Sequence, residues 1–119
     1  LEEANKQIKR LSFNESLEML TNENTFVIDV REESEVINLG IIKNAIHIPR
    51  GLIEFKLSPH SSNNPNGIVQ NTNLLIYCAG GYRSALAAKT LSDLGFTNVY
   101  NIGGYQEWID NGGDIQASL

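Results

Sequence analysis

Apolar residues along this chain collect into short runs separated by stretches with helical spacing. Four runs read as strands, each apolar and bounded by turn residues or a helical pattern. They are Phe26–Val30, Ala45–Ile48, Leu74–Cys78 and Val99–Ile102, with a weaker candidate at Ile8–Leu11. The first and third are apolar almost throughout rather than alternating, which suits parallel strands covered by helices on both faces.

Helix signals fill the gaps. Ser12 caps a helix from Phe13 to about Thr21, and Glu15 three residues on completes a capping box. Ser34 caps a short helix through Leu39 that Gly40 ends. Gly51–Leu57 reads as another short helix after Pro49. The strongest pattern runs from Ser84 to Leu94: Ala87, Ala88, Leu91 and Leu94 share one face, and Gly95 supplies the stop. Tyr105–Asn111 makes the last helix, with Gly112 and Gly113 beyond it. Residues 58–73, SPHSSNNPNGIVQNTN, are polar and predict an unusually long surface loop. There is no internal repeat and no second core. Strands alternating with helices predict an open α/β sheet in one domain, residues 1–119.

Composition adds mainly exclusions. At 119 residues, 41% hydrophobic and 19% charged, the chain resembles a globular domain able to bury one core. No apolar run is long enough to span a bilayer. A net charge of −5 without a basic stripe argues against nucleic-acid binding. Lys6, Lys9 and Arg10 cluster, but Glu2, Glu3 and Glu15 surround them, as on a solvated helix face. The single cysteine excludes an internal disulfide and a cysteine-rich zinc site. His47 and His60 lack ligand-like spacing.

That cysteine is the candidate for chemistry. Cys78 ends an apolar strand, and a helix is expected to start near Arg83 or Ser84. Ligands of open α/β sheets bind beyond the carboxyl ends of the strands. The sulfur therefore faces a helix amino terminus, where backbone N–H groups converge. Gly80 and Gly81 let the backbone curl and turn its amides inward. Arg83 adds a forked cation for an oxyanion. All these favour thiolate over thiol. The competing reading makes Cys78 a small buried hydrophobe beside a glycine turn.

The stretch Cys78-Ala79-Gly80-Gly81-Tyr82-Arg83-Ser84 resembles the active-site loop of the single-domain rhodanese family, a six-residue loop opened by cysteine and closed by arginine. Ile28-Asp29-Val30-Arg31-Glu32, followed by Glu35 and Gly40, is similar to that family's "DVR" strand. Ala45-Ile46-His47-Ile48-Pro49 is similar to its "A-x-N/H-I-P" segment, and Gly103-Gly104 with Trp108 and Gly112 to its "GG…W…G" signature. Gly113 and Asp114 depart from it, standing where many relatives carry proline.

The resemblance implies an α/β three-layer fold with a central, mostly parallel sheet and helices on both faces. It implies a sulfurtransferase that uses no metal and no cofactor. Cys78 would be the catalytic nucleophile, taking sulfur from thiosulfate or a similar anion as a persulfide and passing it to a thiol or cyanide. Ala79, Gly80, Gly81, Tyr82, Arg83 and Ser84 would hold the substrate, with Arg83 orienting the anion. Asp29 and Arg31 are supporting residues on the rim, either adding positive potential or fastening loops; Glu35 tethers its helix. His47 reads as a satisfied strand residue and Trp108 as core, while Tyr82 projects from the loop crest.

Two other functions stay open. Cysteine-dependent phosphatases and arsenate reductases also set a cysteine and an arginine around an anion loop, but with five residues between them against four here. A non-enzymatic persulfide carrier or regulatory module of the same fold is the other, with a sulfur-relay protein as partner. The lone thiol suits a reducing cytoplasm, and a signal or anchor upstream of Leu1 is left open. No contact with nucleic acid or membrane is expected.

Overall fold

The structure, a computed structural model, describes residues 2–57 and 67–118. Strands β1 (Lys9–Arg10), β2 (Thr25–Asp29), β4 (Ile46–His47), β5 (Asn73–Cys78) and β6 (Asn98–Gly104) form a sheet in the order β1-β6-β5-β2-β4. Every pairing in it is parallel. A separate antiparallel ribbon joins β3 (Ile41–Ile42) to β7 (Ile115–Gln116).

Successive side chains of a strand point to opposite faces, so a central strand feeds two cores. On one side Leu74, Ile76 and Cys78 of β5 pack with Ile53 and Leu57 of α4 (Ile53–Leu57) and with Ala87, Ala88 and Leu91 of α5 (Tyr82–Asp93). Helix α1 (Glu2–Gln7) lies against α5 on that side. On the other, Leu75 and Tyr77 meet Phe13 of α2 (Phe13–Met19), Val36 of α3 (Glu33–Leu39), and Tyr105 and Trp108 of α6 (Tyr105–Asp110). Leu74, Leu75 and Ile76 are fully buried, which explains a run with no polar alternation; each such side chain gains about 1.5–3 kcal/mol on leaving water. The result is the expected three-layer α/β fold.

Several boundaries differ from the sequence reading. Helix α3 is capped by Glu32 rather than Ser34, because the Glu35 carboxylate accepts from the Glu32 N–H at 3.1 Å. Helix α5 begins at Tyr82, before Ser84, because Gly81 takes a left-handed φ of +92° and turns the chain at once. Strand β4 has only two of the four expected residues, and α2 stops at Met19. Strand β6 runs on to Gly104 through a bulge, where pairing jumps from Ile76–Asn101 to Tyr77–Gly103. Helix α1 and the β3–β7 ribbon are too short to show periodicity. Lys6 lies on α1 while Lys9 and Arg10 lie on β1, so the three do not share the single solvated helix face that was expected. Of the expected loop 58–73, residues 58–66 fall outside the described residues, and Asn73 already pairs with Thr25.

The carboxyl ends of β5 and β6 come very close. Cys78 is in register with Gly104, and a Cβ added at Gly104 would stand 2.5 Å from the Ala79 carbonyl oxygen. Gly104→Ala should therefore cost about 1–3 kcal/mol by overpacking, measured by urea denaturation. A variant as stable as the parent would mean that the two segments separate freely.

Candidate active site

Cys78 is buried, at 1% exposure, at the carboxyl end of β5. Its Sγ accepts from the Gly81 N–H at 3.0 Å, and the Ser84 hydroxyl lies 3.5 Å away. Burial pushes the thiol pKa up. Hydrogen bonds from the Ser84 hydroxyl and from the Ser84, Gly81 and Gly80 N–H groups outweigh it and hold the pKa below the ordinary thiol value. The turn that aims these amides depends on Gly81, whose positive φ would strain any other residue. Ala79 and Gly80 form the loop, and Tyr82, Arg83 and Ser84 make the first turn of α5. Tyr82 is 67% exposed, its ring beside Gly80.

Arg83 does not stand free. Its two Nη atoms donate to the Glu35 carboxylate at 2.7 and 3.0 Å, tying α5 to α3. Glu35 thus engages the loop arginine as well as its own helix. That hydrogen-bonded pair lowers the Glu35 pKa from 4.5 to about 2. A guanidinium has more N–H donors than this fork uses, and Arg83 also feels the charge of Cys78.

Asp29 and Arg31 lie beneath the rim. Both side chains are almost wholly buried and form an ion pair at 2.6 Å. Arg31 also donates to the Gly40 carbonyl at 2.6 Å, with its guanidinium 4.1 Å from the Tyr105 ring centroid. Burial lowers its pKa, but the Asp29 hydrogen bond and charge reverse that and raise it. The geometry is that of a fastening between β2 and the turn after α3, with the charge turned inward. His47 Nε2 bonds the Arg31 carbonyl at 2.8 Å, and Trp108 Nε1 donates to the Asp114 carbonyl at 3.0 Å. Gly113 lies against the Trp108 indole with no room for a Cβ, and the expected proline position holds this glycine instead.

Asn101 is a residue that the sequence reading does not single out. Its side chain bonds Gly81, Ser84 and Gly103. Beside it, a cavity of about 410 Å³ is lined by Ile8, Arg10, Gly80, Gly81, Tyr82, Ala85 and Asn101. The available signal was a polar residue interrupting the apolar run Val99–Ile102, two residues before the paired glycines. Among the described residues, no cluster of His, Cys, Asp or Glu has the makings of a metal site, and no helix is long and apolar enough to cross a membrane.

The profile of the rhodanese-like domain matches residues 12–111. The chain belongs to the rhodanese-like domain family. It is 36% identical over 95 residues to a mitochondrial protein of Schizosaccharomyces pombe whose name provisionally assigns thiosulfate sulfurtransferase activity; the match covers 75% of this chain and 66% of that one. It is 32% identical to the tRNA uridine(34) hydroxylase of Prochlorococcus marinus, over 78% of this chain but only 31% of the enzyme. The chain thus spans less than two thirds of either curated relative. Among solved structures, a Rhodopseudomonas palustris protein of unknown function, described with tyrosine phosphatase as a candidate activity, superposes with TM-score 0.86 at 34% identity, covering 97% of this chain and 89% of that one. The polysulfide-sulfur transferase of Wolinella succinogenes superposes with TM-score 0.80 at 29% identity, covering 98% and 84%. The rhodanese-like signatures quoted from the sequence all fall within segments that build this site or the core beneath it.

Two predictions concern the ion pairs of this rhodanese-like domain. Arg31→Met leaves the Asp29 carboxylate buried without its cation and should cost about 3–5 kcal/mol in urea denaturation; a loss below about 1 kcal/mol would mean that the pair holds nothing together. Glu35 has a depressed folded-state pKa, so its contribution is fully present above the unfolded value of 4.5 and fades as pH falls toward about 2. Glu35→Gln should be less stable than the parent by about 1 kcal/mol at neutral pH, the size expected of a partly exposed pair. The gap should narrow at acid pH, and a constant gap would contradict the assignment.

Proposed function

We propose that this chain is a sulfurtransferase that carries sulfane sulfur on Cys78, taking it from thiosulfate or a similar anion. The supporting observation is the buried Sγ held 3.0 Å from the Gly81 N–H, with its pKa lowered by loop hydrogen bonds. A thiolate favoured in this way calls for less help from a general base. Its sulfur attacks the outer sulfur of thiosulfate; a new S–S bond forms, the S–S bond of thiosulfate breaks, and sulfite leaves with the bonding pair. Cys78 is left as a persulfide anion, whose charge the loop N–H groups offset. A thiolate or cyanide then takes the outer sulfur, restoring the Cys78 thiolate and yielding a new persulfide or thiocyanate.

In this scheme Ala79, Gly80, Gly81 and Tyr82 shape the cradle, and Ser84 donates to the sulfur. Arg83 meets the donor anion with the N–H groups that Glu35 leaves free. A sulfur-relay protein is an equally suitable acceptor, and Tyr82 on the exposed crest is the residue it would meet first. A reducing compartment such as the cytoplasm suits a lone thiol that must not be trapped as a disulfide. Phosphoryl transfer is the poorer reading, because the Gly81 amide is aimed at the sulfur itself and only four residues separate Cys78 from Arg83.

Incubation with thiosulfate should add the mass of one sulfur atom to the protein and release sulfite. Cys78→Ser should abolish both, with an aryl phosphate left unhydrolysed by the parent. Mass spectrometry of the intact chain checks the adduct. Sulfur retained by the serine variant, or phosphate release without any adduct, would overturn the reading.

A further inference from the structure

Asn101 is a buried polar side chain, at 6% exposure, at the carboxyl end of β6. Its Oδ1 accepts from the Ser84 hydroxyl at 2.7 Å and from the Gly103 N–H at 2.9 Å. Its Nδ2 donates to the Gly81 carbonyl at 3.2 Å. The Gly103 contact is the local turn that Asn, Asp or Ser can make with the backbone two residues on, and it holds the bulge of β6. The other two have nothing to do with the bulge. They grip Gly81, which caps α5, and Ser84 in its first turn, and so bracket the segment whose N–H groups face Cys78 Sγ.

The cluster also has a proton that can move. With Cys78 as a thiol, S–H donates to Ser84 Oγ at 3.5 Å and the hydroxyl donates to Asn101. With Cys78 as a thiolate, the Ser84 O–H can swing toward sulfur. Asn101 Oδ1 then still holds the Gly103 N–H, so no buried acceptor is left unpaired. An asparagine does all of this at once because one amide carries both donor and acceptor.

We propose that Asn101 is a positioning residue: by holding the Gly81 carbonyl and the Ser84 hydroxyl it aims the first turn of α5 at the Cys78 sulfur and lets the Ser84 proton follow the charge there. Its purpose rests on the sulfurtransferase reading; its geometry does not. The charged and titratable groups on the elements around that sulfur are Tyr82, Arg83, Lys89 and Asp93 on α5, Lys6 on α1, Glu33 and Glu35 on α3, Asp29 at the end of β2 with Arg31 after it, His47 on β4, Tyr77 on β5, Tyr100 on β6, Lys9 and Arg10 on β1, Tyr105, Glu107 and Asp110 on α6, and Arg50 ahead of α4 with Glu54 and Lys56 on it. All of them are unaltered in the variants that follow.

Alkylation of Cys78 by iodoacetamide against pH tests this in the full chain. Asn101→Ser keeps a hydroxyl for the Gly103 N–H, and hence the bulge, but is too short to reach Gly81 and Ser84. Its alkylation midpoint should rise by about one pH unit, slowing alkylation at neutral pH about tenfold. Asn101→Asp keeps the acceptor, loses the donor and adds a negative charge, so its midpoint should rise further. A folded Asn101→Ser protein with the parent profile overturns the proposal and leaves Asn101 as a bulge residue only. In the unaltered protein, the Asn101 side-chain amide resonances should shift with the midpoint of Cys78; resonances fixed through that titration overturn it as well, whatever the folding of the variants. No sulfur donor enters either experiment. A chain inert toward thiosulfate but with shifted variants keeps this inference and loses only the sulfurtransferase reading.

Discussion

A negative charge on a buried sulfur has to be met by something other than water, and the loop after β5 offers backbone N–H groups that can meet it. At 1% exposure, Cys78 has little solvent to solvate a thiolate. Backbone N–H groups take water's place, and they converge only because β5 ends where α5 begins, with a glycine in left-handed conformation between them. The same economy of space brings Gly104 against the Ala79 carbonyl, where a side chain has no room.

Two ion pairs serve this arrangement in different ways. Arg31 and Asp29 are wholly buried, and their charges compensate one another beneath the rim, against Tyr105 and the Gly40 carbonyl. Such a pair contributes mainly by being costly to break, because either ion alone would be stranded in a low dielectric. Arg83 and Glu35 are partly exposed, so water and salt moderate their attraction. Their value lies in geometry: the bidentate fork sets α3 against the first turn of α5 while keeping a cation at the mouth of the loop.

Placed at a sheet end, between a helix amino terminus and a neighbouring strand, the thiol also gains from hydrogen-bonded groups that are far off in sequence. Ser84 lies within the loop segment, but Asn101 arrives from β6. The β6 bulge turns Gly103 and Gly104 toward the loop, and Asn101 bonds both the bulge and the loop. The loop after Cys78 and the strand bulge are thereby one hydrogen-bonded unit.

How much of this could be read beforehand depended on range in sequence. Apolar runs at 26–30 and 74–78 identified the central strands, since a strand buried on both faces has no polar alternation to mistake. The cysteine, paired glycines and arginine within one short segment identified the loop, because strand, turn and helix start are all local events there. The cap of α3 at Glu32 and the start of α5 at Tyr82 lie one or two residues ahead of the positions the sequence predicts, where a carboxylate's choice of N–H and a glycine's φ decide the boundary. What the sequence alone determined was the order of the larger strands and helices, the place of Cys78 at the end of a central strand and the glycine turn that follows it. Only the tertiary structure decided that Arg83 binds Glu35, that the Arg31 charge points inward to Asp29, and that Asn101 reaches Gly81 and Ser84. Those contacts join residues 17 to 48 positions apart or turn on burial, and neither spacing nor composition carries the distances that select one partner over another.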